Sequence, residues 1–76
     1  MKDVELLKEP VELYKILKFE GMVASGGEAK NAIADGQVTV NGAIETQKRK
    51  KIVSGDIIEF GVEKIRLQFK QQTIEI

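Results

Sequence analysis

The sequence predicts one α+β domain: two N-terminal helices packed on a small twisted sheet of about four short strands. Three observations predict it. In the first third of the chain, apolar residues recur at helical spacing. After Gly36 the spacing changes to strict alternation. Between two alternating segments lies Asn41-Gly42, a dipeptide suited to a two-residue type I′ hairpin turn, where both central residues need positive φ.

Residues 1–9 carry mixed charge and little pattern, which predicts an N-terminal arm ahead of a single domain over 10–70. Pro10 suits the first turn of a helix. Leu13, Ile16 and Leu17 then fall on one helical face, with Lys15 and Lys18 on the solvent side. A first helix is expected over Val11–Glu20, closed by Gly21 at its C′ position. Ser25-Gly26-Gly27-Glu28 has the form of a capping box, with Ser25 accepting from the Glu28 amide and Glu28 reaching back to that of Ser25. Ala29, Ala32 and Ile33 supply a narrow apolar face, and Gly36 ends a second helix over Ser25–Ala34.

Val38 and Val40 alternate with Gln37 and Thr39 as in a half-buried strand, and Ala43–Thr46 returns as its partner. Gln47–Lys51 is a polar connection, and Ser54-Gly55-Asp56 a turn before a strand at Ile57–Phe60. Ile65, Leu67 and Phe69 alternate with Lys64, Arg66, Gln68 and Lys70 as the last strand, leaving 71–76 as a C-terminal tail. Phe60 and Phe69 are expected in the core.

A chain of 76 residues has room for one recognition module, not for an enzyme with a separate substrate domain. It contains no Cys and no His. There is thus no disulfide, no thiolate nucleophile and no side chain that ordinarily titrates near neutrality. A zinc site would have to be built from carboxylates alone. These absences predict a protein that is not an enzyme and holds no metal or other cofactor. No apolar run approaches the roughly 20 residues that span a bilayer, and the charged N-terminus leads into no apolar signal segment. A cytoplasmic protein is expected.

The 12 basic and 12 acidic residues cancel, which argues against coating nucleic acid by charge alone. The cancellation is uneven along the chain: residues 1–28 carry net −2, residues 29–51 net +3 and residues 52–76 net −1. Lys48-Arg49-Lys50-Lys51 concentrates the positive segment. Such a run serves as a solvated loop or as an edge that meets a polyanion; a nuclear-localisation signal is a weaker third reading. Ser25, Gly26 and Gly27 at a helix start present free amides that suit a phosphate, although their spacing is not that of a P-loop. Aromatic residues are few, so a reader of backbone or duplex shape fits better than one that stacks bases.

Ser25-Gly26-Gly27-Glu28-Ala29-Lys30, followed by Ile33, Gly36, Val38, Val40 and Asn41-Gly42, resembles the small RNA-binding domain of ribosomal protein S-four, also called the alpha-L RNA-binding motif. Ser54-Gly55-Asp56-Ile57-Ile58-Glu59-Phe60 is similar to its turn-and-strand segment. The likeness spans Val11 to Phe60 and is strongest to short, free-standing bacterial members. The resemblance implies RNA binding through the helix pair and adjoining loop, with structured RNA, ribosomal or transfer, as partner and the ribosome or its assembly intermediates as its setting. By position it places Lys18 and Lys30 on the RNA surface, Asn41 in the turn beside it, and Lys48, Arg49, Lys50 and Lys51 at its loop edge. Glu12 and Gly26 stand where many members carry a cation. With the zero net charge, they motivate the alternative of a protein-interaction module on the same fold.

Overall fold

The computed structural model describes residues 1–6 and 10–69. The elements run β1 (Lys2–Leu6), β2 (Val11–Glu12), α1 (Leu13–Phe19), α2 (Gly26–Ala34), β3 (Val38–Val40), β4 (Ala43–Ile44), β5 (Lys51–Ile52), β6 (Ile57–Phe60) and β7 (Glu63–Phe69). Five strands form one mixed sheet in the order β1-β7-β6-β3-β4, and β2 and β5 form a separate two-stranded ribbon. The class is α+β, as expected, but the sheet has one more strand than anticipated and the helices are not the first elements. The expected tail, residues 7–9 of the expected arm and the expected core role of the Phe69 side chain lie outside the described residues.

The extra strand comes from the predicted arm. Lys2–Leu6 pairs in parallel with β7, Val4 opposite Leu67 and Asp3 opposite Arg66. Val4 is buried in the common core, and Leu6 packs half-buried against it. Two inward apolar residues among charged neighbours make too short an alternation to stand out, and the partner strand lies at the other end of the sequence.

The first helix is also shorter than expected. Val11 and Glu12 pair with Ile52 and Lys51 instead of opening a helical turn. Pro10 therefore precedes a strand. α1 closes with the Gly21 N–H donating to Lys18 O at 3.1 Å and the Met22 N–H to Leu17 O at 3.0 Å. α2 closes the same way, from Gly36 to Ile33 O at 3.0 Å and from Gln37 to Ala32 O at 3.1 Å. Both are Schellman closures, which need a left-handed residue at C′; Gly21 has φ +68° and Gly36 φ +75°.

At the α2 start, the Glu28 amide donates to Ser25 Oγ at 3.1 Å as expected. The reciprocal bond goes one residue further back: the Glu28 carboxylate accepts from the Ala24 amide at 3.3 Å, not from that of Ser25. The hairpin forms at Asn41 (φ +54°) and Gly42 (φ +86°), with Val40 facing Ala43. Its return strand stops at Ile44, short of Thr46.

One apolar core joins the layers. α1 contributes Leu13, Ile16 and Leu17, and α2 contributes Ala29, Ala32 and Ile33. Against them pack Val38, Val40, Ile58, Ile65 and Leu67 of the sheet and Ile52 of the ribbon. No charged or polar residue is buried among the described residues. Cross-strand ion pairs join β1 to β7 and β6 to β7: Arg66 with Asp3 at 2.9 Å and Lys64 with Glu59 at 3.1 Å.

The placement of β1 carries a test. Val4→Ala removes two buried methyl groups and should lower stability by about 2 kcal/mol, read as a shift of the urea midpoint at unchanged slope; a midpoint that does not move would return Lys2–Leu6 to the status of an arm.

Candidate functional site

The four-cation segment is built into the fold by its backbone. The Leu13 N–H donates to Lys50 O at 2.9 Å and the Tyr14 N–H to Lys48 O at 3.1 Å. These are the first two amides of α1, groups that a helix cannot satisfy internally. A turn from Gln47 to Lys50, closed by a 3.2 Å backbone bond, presents those carbonyls. The carbonyls face the helix while all four side chains, Lys48 to Lys51, remain exposed. The basic loop therefore caps α1, and the α1 N-terminus is occupied by the protein's own backbone.

The exposed surface of α1 continues from that loop. Tyr14, Lys15 and Lys18 are neighbours on one side of the helix. The Tyr14 ring bridges to α2: an added Cβ at Gly26 would lie 3.9 Å from ring carbons Cδ2 and Cε2. The Lys30 ammonium of α2 lies 4.8 Å from the centre of the same ring, and that of Lys15 lies 5.9 Å away. Tyr14 thus holds two cations from two helices near one aromatic ring, an attraction of about 0.5–1 kcal/mol each at exposed sites.

Glu12 sits among these charges. Its carboxylate meets the Lys15 ammonium at 3.1 Å and Arg49 Nε at 3.6 Å. The hydrogen bond from Lys15 draws its pKa below the usual glutamate range; burial opposes this, and the positive fields of Lys15, Arg49 and Lys51 add to it. Glu12 therefore does not simply delete a cation from the surface. It links the helix to the loop across the β2–β5 ribbon.

Of the residues singled out from the sequence, Lys30, Gly26 and Lys48–Lys51 meet around the first turn of α1, and Lys18 extends the same face. Lys18, Lys48, Lys50 and Lys51 have no acidic oxygen within 4.0 Å among the described residues, in contrast to Lys2, Lys64 and Arg66 elsewhere. The hydroxyl of Ser25 is committed to capping α2, and Gly27 is exposed beside it. Asn41 is not brought to the cations by any contact. Its side-chain oxygen accepts from the Ile57 amide at 2.9 Å and its nitrogen donates to Asp56 at 3.0 Å, so it fastens the hairpin to β6. Tyr14 and Lys15 are the residues that sequence reading passed over. The role of Tyr14 depends on the approach of α2, for which the sequence carries no spacing signal, whereas Lys15 joins the site through its chain neighbours Glu12 and Tyr14. Among the described residues, no cluster of Asp and Glu could hold a metal ion, and no helix is long and apolar enough to cross a membrane.

Comparison with known proteins fits this geometry. The model of the family described as S4 domain matches residues 4–68. YbcJ of Escherichia coli is 54% identical over 61 residues, covering 79% of this chain and 87% of YbcJ. The YbcJ of Shigella flexneri matches to the same extent. The solution structure of E. coli YbcJ, described as revealing an alfaL motif involved in RNA-binding, superposes with a TM-score of 0.69 at 48% identity over 90% of this chain and 87% of that one.

The position of Glu12 has a measurable consequence. Its pKa is lowered in the folded state, so its contribution to stability is complete above the ordinary glutamate pKa and drains away as pH falls through the lowered value. A carboxyl-detected NMR titration should show the Glu12 midpoint below that of a free glutamate side chain, and Lys15→Met should move it upward.

Proposed function

This chain belongs to the S4 domain family, and we propose that it is a non-catalytic RNA-binding module. It recognises structured RNA, ribosomal or transfer RNA, in the cytoplasm, mainly through phosphates. The surface comprises Lys15, Lys18 and Lys30 of the helix pair together with Lys48, Arg49, Lys50 and Lys51, with Gly26 and Gly27 offering backbone at the start of α2. Ribosomes or their assembly intermediates are the natural setting for such a partner.

One observation carries this reading. The structural work of Lys48 and Lys50 is done by their carbonyls, which cap α1, so the side chains of these two residues are left without a folding role. Lys64 and Arg66 of the sheet are matched by acids on facing strands, whereas among the described residues Lys18, Lys48 and Lys50 have no acid partner. A charge pattern of this kind, neutral overall and positive on one oriented surface, suits phosphate contacts that give affinity and orientation more than sequence discrimination. The likeness to YbcJ, with its motif involved in RNA-binding, points the same way. Asn41 acts in this reading by fixing the hairpin, not by touching RNA.

If roughly 4 to 6 phosphates are neutralised, the logarithm of the association constant should fall with the logarithm of salt concentration at a slope of roughly −3 to −5. The double variant Lys48→Gln, Lys50→Gln keeps both capping carbonyls. It should retain the melting temperature, weaken binding to ribosomal RNA fragments and flatten the slope by about 1.5. Unchanged affinity in this variant would remove the loop from the surface. Absence of RNA binding by the unmodified protein, with partners captured equally well after nuclease treatment, would favour a protein-interaction module.

A further inference from the structure

α1 exposes an aromatic ring that the phosphate surface does not use. Phe19 is 64% exposed at the C-terminal end of the helix. It is four residues beyond Lys15, on the adjoining part of the same face. With Pro10 and Val11 it lines a shallow groove of about 330 Å³, whose remaining walls are Glu12, Lys15 and Lys51. The groove thus combines an apolar floor, two cations and one carboxylate.

Resting on the RNA-binding reading, we propose that this groove seats a single unpaired nucleotide of the bound RNA, its base laid on Phe19. The chemistry of the lining selects that occupant. An exposed ring beside a cationic surface is the arrangement on which unpaired bases stack. Lys15 and Lys51 stand where the phosphates flanking such a base would pass. The Glu12 carboxylate repels a phosphate from the interior of the groove but accepts hydrogen bonds from the N–H groups of a base edge. The base therefore enters and the backbone stays at the rim. A wholly paired duplex offers no base to this groove, so the protein distinguishes a bulged helix from a perfect one.

The test compares two RNAs that differ at one position: a perfect hairpin duplex and the same duplex carrying one unpaired 2-aminopurine. The bulged RNA should bind about tenfold more tightly, the scale of one base–aromatic stack, with a change in 2-aminopurine emission on binding. Phe19→Ser should abolish the advantage and the emission change while leaving affinity for the perfect duplex in place; Phe19→Trp should preserve both. Equal binding of the two RNAs by the unmodified protein, or an advantage that survives in Phe19→Ser, would overturn the groove assignment and leave the phosphate surface standing. Failure to bind either RNA would overturn both readings. An affinity loss in Phe19→Ser that is equal for the two RNAs, with Phe19→Trp normal, assigns the ring to general packing against RNA and likewise overturns the bulge preference.

Discussion

Two backbone hydrogen bonds, from the amides of Leu13 and Tyr14 to the carbonyls of Lys50 and Lys48, organise the basic surface of this molecule. α1 has only seven residues, too few to persist in water without tertiary support. Its first amides are satisfied by a loop more than thirty positions away in the chain, and that loop is itself a run of four like charges that would repel one another in isolation. Each segment supplies what the other lacks. The helix gives the loop a fixed conformation, and the loop gives the helix its cap. The β2–β5 ribbon and the Glu12 carboxylate, which meets Lys15 and Arg49, hold the two in register.

This arrangement also explains how a protein with no net charge can be strongly polarised. On the sheet, opposite charges face one another across neighbouring strands. Around α1, the Glu12 carboxylate is shared between Lys15 and Arg49, and the Tyr14 ring attracts Lys15 again together with Lys30 of α2. Aromatic and anionic groups there reduce the repulsion among cations without cancelling it. The surface keeps its sign while the repulsion it places on the fold is kept small.

Most of the local structure was legible in the sequence because its signals are local. The Ser25 cap, the Gly21 and Gly36 closures and the Asn41-Gly42 turn depend on residues within a few positions of one another. The segments that were misread are those decided by distant partners. Val11 and Glu12 look helical beside Leu13, but Ile52 and Lys51 claim them for a ribbon. Val4 is one buried residue between two acids, and only β7 makes it part of a sheet. The candidate site was legible in the same measure. The cation run stands out by composition and Lys30 by the family resemblance, whereas Tyr14 gains its role from the proximity of Gly26, and Phe19 from what fails to cover it.

The parallel pairing of β1 with β7 bears on how the chain folds. Asp3 and Arg66, joined across the two strands, are 63 residues apart in sequence. The β3–β4 and β6–β7 pairings close over short turns and can form early, because little chain entropy is lost in bringing their strands together. β1 must wait for β7, and a long closure of this kind slows the final step of folding. During synthesis the first strand emerges with no partner, and its β7 edge arrives last. Until β7 arrives and closes onto it, Val4 stands uncovered, so the rate of this closure sets how long the nascent sheet has an open, apolar margin.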